Sequence, residues 1–250
     1  MKFPMSILLV ASTLGIAVPP SRSEMKQPAT QKLKIVLVGD STVAVDGGWG
    51  PGFCASLVPG VICIDDALNG RSSKSFIVEG AWEKGLAEKG NYYLIQFGHN
   101  DMKGKGPERE TNPDTTFAEN LRRFIHDARS IGAVPVLVTS LSRRTFQDGV
   151  VVEDLKDYAA ATRKVGEEER VSVIDLNAIS TAMLNSMGQQ EADTFNAVGQ
   201  EKERLAAGKS AIDRTHLNPK GQTVFGQIVA RELVRLRPEL KPDMQATALK

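Results

Sequence analysis

Short, almost continuously apolar runs recur along the chain, separated by longer amphipathic stretches. The runs are Leu33–Val38, Val61–Asp65, Tyr93–Phe97, Val134–Thr139 and Val171–Asp175, rich in β-branched residues. That pattern predicts parallel strands covered on both faces. Between them, residues 114–131 place Phe117, Leu121, Phe124, Ile125 and Ala128 on one helical stripe that ends at Gly132. Residues 153–168 and 218–235 are further predicted helices. Alternation of strand and helix predicts an α/β fold, a three-layer α/β/α sandwich around a five-stranded parallel sheet. Residues 102–113 and about 188–210 read as long surface loops, the second partly helical, and the chain from about Pro238 reads as a loose tail.

The N-terminus has a different pattern. Lys2 precedes an apolar run over residues 5–18, and Pro19, Pro20 and Ser21–Ser23 follow. This is the layout of a secretory signal peptide over residues 1–23, with export to a periplasm or the medium and one domain over residues 24–250, its core about 33–236. An uncleaved anchor is the other reading; without it no membrane contact is expected. Export makes a disulfide possible. Cys54 and Cys63 either pair or stay as two thiols, and the sequence leaves both open. Lys plus Arg, 31, nearly equals Asp plus Glu, 30, so the net charge of +1 gives no reason to expect nucleic acid. Two cysteines and three scattered histidines show no zinc-ligand spacing, and Asp65 and Asp66 read as turn and cap residues; no metal site is expected.

In a parallel sheet of this kind, sites form at the carboxyl ends of strands. Four polar clusters fall there or before a helix. Ser41, in Gly39-Asp40-Ser41-Thr42, follows the first strand, where a tight turn projects a hydroxyl and its own N–H into a cleft. Gly70 follows the second strand and presents an N–H without steric cover. Asn100, in Gly98-His99-Asn100-Asp101, follows the third and offers an amide donor to a developing oxyanion. Asp213 and His216 precede the last helix, three residues apart, so the carboxylate reaches the imidazole N–H and fixes its tautomer. Asn218 and Pro219 suit that helix's cap and first turn.

Together these clusters resemble the SGNH, or GDSL-type, hydrolases, whose four blocks are marked by Ser, Gly, Asn and His in that order: here Ser41, Gly70, Asn100 and His216. The phrases at 69–76 (NGRSSKSF), 96–101 (QFGHND), 142–144 (SRR), 173–176 (VIDL) and 215–221 (THLNPKG) are similar to rhamnogalacturonan acetylesterases. The resemblance implies a flavodoxin-like fold and hydrolysis with no cofactor. It also implies a Ser41–His216–Asp213 triad, and an oxyanion hole from Ser41, Gly70 and Asn100. The implied partner is an acetylated polysaccharide. Arg71 and Arg214 sit beside motif residues, and Arg143 and Arg144 follow the fourth strand at the same edge of the sheet; arginine forks match galacturonate carboxylates, and solvated or acid-paired arginines are the alternative. Trp49 is read as a sugar-stacking or a core residue. Asp40 is expected to shape the serine turn, and His99 to support the site from behind. A deacetylase of another glycan, a general esterase or an inactive glycan-binding module are the competing readings.

Overall fold

Five strands form the centre of the molecule, the inner three with side chains buried on both faces. The computed structural model describes residues 32–250. The expected signal peptide, residues 1–23, lies outside the described residues. In chain order the strands are β1 (Lys34–Gly39), β2 (Ile62–Asp65), β3 (Tyr92–Gln96), β4 (Val134–Val138), a small hairpin of β5 (Phe146–Gln147) and β6 (Val150–Val151), β7 (Ser172–Ile174), β8 (Asn196–Ala197) and β9 (Asp213–Leu217). The helices are α1 (Gly50–Cys54), α2 (Ser73–Val78), α3 (Ala81–Ala87), α4 (Ala118–Ser130), α5 (Lys156–Glu168), α6 (Leu176–Met187), α7 (Gln189–Ala192), α8 (Glu201–Ala206) and α9 (Pro219–Leu236).

The central sheet runs β2-β1-β3-β4-β7, every neighbouring pair parallel. This is the flavodoxin-like order, and it reverses direction between β1 and β3. Side chains alternate between two cores. Ile35 and Leu37 face a layer with Trp49, Phe53, Leu184 and Phe225, from α1, α6 and α9. Val36 and Val38 face Phe76, Trp82, Phe124 and Val165, from α2 to α5. The stripe on α4 works as its spacing predicts: Leu121, Phe124, Ile125 and Ala128 are buried. Each large apolar side chain buried in this way contributes roughly 1.5–3 kcal/mol.

Three differences from the sequence pattern have physical reasons. The helix predicted from residue 114 opens with one π-helical turn, Pro113–Phe117, and becomes α-helical at Ala118. Asp213 and His216 lie on β9, which pairs antiparallel with β8, and not in an open turn. The proline-containing end is not a loose tail. Pro238–Asp243 forms a 3₁₀ helix, and Leu240, Met244 and Ala248, spaced four apart, are buried. The Gln245 amide also donates to the Ser56 carbonyl at 2.8 Å. Cys54 and Cys63 are joined, Cα–Cα 5.6 Å, which ties the end of α1 to β2.

Candidate active site

Ser41 stands immediately beyond β1, at the point where the strand order reverses. The turn that carries it is held from below. Asp40 Oδ1 accepts from the Thr42 amide at 2.9 Å and from Thr42 Oγ1 at 2.7 Å. Gln96 Nε2 donates to Thr42 Oγ1 at 2.6 Å, and Trp49 Nε1 donates to Gln96 Oε1 at 2.9 Å. Trp49 is therefore fully buried and braces the serine turn; it has no face for a sugar. Gly39 permits the close approach, because a Cβ there would sit 2.5 Å from the Gln96 carbonyl oxygen. His99 lies behind the turn, with Nδ1 3.5 Å from Asp40 Oδ2 and 3.4 Å from Thr42 Oγ1. Burial holds its ring below the ordinary imidazole value, against the opposing pull of Asp40.

Strand β9 brings the other two groups to Ser41. His216 Nε2 is 2.8 Å from Ser41 Oγ, and His216 Nδ1 is 2.9 Å from Asp213 Oδ2. A carboxylate only accepts, so Nδ1 carries the proton and Nε2 presents its lone pair to the serine hydroxyl. The Asp213 Oδ1 atom accepts from the Thr215 and His216 amides, both at 3.0 Å. Burial by itself raises the Asp213 carboxyl, but the donors from His216 and Thr215 outweigh it and hold the group well below the usual carboxylate range. The strand is anchored from behind by Arg144, a fully buried guanidinium that donates to the His216 carbonyl and, at 2.6 Å, to Asn196 Oδ1 on β8.

Three donors border the same cleft. Gly70 has φ 77°, left-handed backbone that favours glycine, and this conformation turns the loop after β2. Among the described residues, neither the Ser41 nor the Gly70 amide N–H meets an acceptor. Asn100 Nδ2 donates one hydrogen to the Arg71 carbonyl at 3.1 Å and keeps a second for the cleft. Asp101 ties these loops together: its carboxylate accepts from the Ser73 amide and hydroxyl, from the Gly98 amide at 3.1 Å and from Thr111 Oγ1 at 2.9 Å. Burial pushes this carboxyl up to about 7 despite the donors.

The cleft measures about 410 Å³, and Ser41, Gly70, Asn100 and His216 all line it. Three of the arginines singled out from sequence are placed differently from one another. Arg143 lines the cleft, but its guanidinium is engaged by Asp154 and, at 3.3 Å, by Thr215 Oγ1. Arg71 donates to Glu79 at 2.8 Å and Arg214 to both oxygens of Asp193 at 2.9 Å; neither lines the cleft. Other cations do line it: Lys105 and Arg109 from the loop after Asp101, and Arg204 and Lys209 from α8 and the turn beyond it. Both segments were legible as long loops, but nothing in their spacing tells which side chains turn inward.

The geometry agrees with comparisons to known proteins. The model of the GDSL-like Lipase/Acylhydrolase family matches residues 37–224. A Bacillus subtilis protein named "Probable rhamnogalacturonan acetylesterase YesY" is 33% identical over 81% of this chain and 93% of its own length. Rhamnogalacturonan acetylesterase RhgT of the same organism is 35% identical over 88% of this chain and 96% of its own. The solved structure of the YxiM protein of Bacillus subtilis superposes with a TM-score of 0.67 at 25% identity, covering 82% of this chain and 57% of that one. The chain belongs to the GDSL-like lipase/acylhydrolase family, enzymes that hydrolyse ester bonds.

Proposed function

We propose that the chain is an exported carbohydrate esterase that removes O-acetyl groups from rhamnogalacturonan, a plant cell-wall polysaccharide, through an acyl-enzyme on Ser41. One observation carries the chemistry: the unbroken line from Ser41 Oγ through the His216 ring to Asp213, at 2.8 and 2.9 Å. Ser41 Oγ attacks the acetyl carbonyl while His216 Nε2 takes its proton. Asp213 stabilises the imidazolium that results. The oxyanion is held by the Ser41 and Gly70 amides and by Asn100 Nδ2, donors already in place before charge develops. His216 then protonates the departing sugar oxygen as the tetrahedral centre collapses to acetyl-Ser41. Water, deprotonated by the same ring, attacks this ester, and acetate leaves with Ser41 restored.

The substrate reading is supported by the names of the two relatives and by the polar, cationic lining of the cleft. Export is supported by the apolar run at residues 5–18 and by the Cys54–Cys63 disulfide, which suits an oxidising compartment. A serine-directed fluorophosphonate tests the nucleophile. It should label the intact chain at Ser41 and leave Ser41→Ala and His216→Ala unlabelled. Equal labelling of the Ser41→Ala chain would move the nucleophile to another residue, and no labelling of the intact chain would make the inactive binding module the better account.

A further inference from the structure

Five basic side chains line the cleft, against two acidic ones, Asp46 and Asp213. Three of the five are committed to carboxylates. Arg143 pairs with Asp154, Arg204 with Asp213 at 2.7 Å and Arg109 with Glu108 at 3.1 Å. Asp46 Oδ2 faces Asn69 Nδ2 at 3.3 Å. Among the described residues, the ammonium groups of Lys105 and Lys209 meet neither an acid nor a hydrogen-bond acceptor. Lys105 is half-buried in this company. Burial, and then the nearby charges of Arg143, Arg109 and Lys209, hold its ammonium below the ordinary lysine value. Asp154, held by Arg143, offsets only part of this, so the two lysines stand together with no carboxylate of their own, at a cost that an anion between them would lower.

We propose that Lys105 and Lys209 form a carboxylate-binding subsite of this cleft, filled by a uronate residue of the glycan whose acetyl group meets Ser41. The subsite rests on the proposed function in taking the cleft as a glycan site. Two flexible ammonium groups suit a carboxylate whose position varies along a chain, whereas a fixed guanidinium fork would demand one geometry. Asn69, Gln200 and Thr215, in the same lining, supply neutral donors and acceptors for sugar hydroxyls. A free inorganic anion offers the same charge without these hydroxyls, so the two sources separate by experiment.

The test is titration calorimetry of the mature chain with trigalacturonate free of acetyl groups, so that binding is read without turnover. Xylotriose and inorganic phosphate serve as the neutral and the small-anion probes. Trigalacturonate should bind, weaken as salt rises, and lose about tenfold or more in affinity when Lys105→Met and Lys209→Met are combined. The charge-keeping pair Lys105→Arg and Lys209→Arg should retain most of the binding, which separates loss of charge from loss of fold. Unchanged affinity in the methionine pair would overturn the subsite, as would xylotriose binding as tightly as trigalacturonate. Phosphate binding as tightly as trigalacturonate would make it a general anion site and remove the uronate. Fluorophosphonate labelling of Ser41 in the same preparation reports on the proposed esterase separately. A labelled chain that ignores trigalacturonate loses the subsite alone.

Discussion

Arg204 Nη1 donates to Asp213 Oδ2 at 2.7 Å, and that same oxygen faces His216 Nδ1 at 2.9 Å. Helix α8, which carries Arg204, has no buried residue. It is tied to β9 through this one side chain, which also donates to the Ser210 carbonyl at 2.8 Å and the Ile212 carbonyl at 3.2 Å. A cation on the carboxylate competes with the positive charge that His216 must take up. Arg204→Met should therefore move the acid limb of the kcat/KM profile to higher pH. A pH–rate profile on a small chromogenic acetate measures it. An unmoved limb would mean that Arg204 only fastens the loop.

Asp101 makes a different kind of prediction. All of its neighbours are donors, from the loops that carry Gly70 and Asn100 and from Thr111. Asn in its place must turn an NH₂ group toward at least one N–H or O–H. Asp101→Asn should cost roughly 1–3 kcal/mol of stability. It should also lower kcat by about tenfold to a hundredfold as the oxyanion donors shift, with KM little changed. Thermal unfolding and steady-state kinetics read the two effects. A large rise in KM at constant kcat would contradict this positioning role.

Asp65 gives a pH dependence of stability. Its Oδ1 accepts from the Ala67 amide at 3.2 Å, while Oδ2 is buried without a partner. Burial, with Asp66 and Asp46 adding to it against the Ala67 donor, raises the carboxyl to about 7. The folded protein thus holds this proton more tightly than the unfolded chain. This contribution is fully present below about pH 4 and is lost as pH rises through about 7, with a slope of up to about 1.4 kcal/mol per unit. Replacing Asp65 by Asn should flatten that slope, so that the variant gains on the parent between about pH 4 and 7. Denaturant unfolding across this range decides it, and parallel curves for the two proteins would refute the assignment.

The fold was legible because its signals are local. Five apolar runs and the stripe on α4 need no knowledge of distant partners, and the sheet has the predicted strands with ends shifted by at most one residue. The four motif residues were legible for the same reason, since each ends a strand or precedes a helix. The cationic lining was not. The sequence leaves Arg71 and Arg214 either free for substrate or acid-paired, because their acids, Glu79 and Asp193, lie 8 and 21 residues away and are met only through folding. Lys105 and Lys209 belong to loops with no apolar period to orient them. Trp49 was ambiguous until Gln96, 47 residues on, was seen to take its N–H. The end beyond Pro238 reads as a loose tail because terminal residues are ordered only when something ties them down, and the burial of Leu240, Met244 and Ala248 depends on the surface they meet.

The central claim is an acyl-enzyme on Ser41 that releases acetate from rhamnogalacturonan. Acetate release by the mature chain from O-acetylated rhamnogalacturonan, beside acetylated xylan and beside the Ser41→Ala variant, tests it most directly. The account predicts strong release from rhamnogalacturonan, weak release from xylan, and a loss of about four to six orders of magnitude in the variant. Release from xylan alone would contradict the substrate, and equal release by Ser41→Ala would contradict the mechanism.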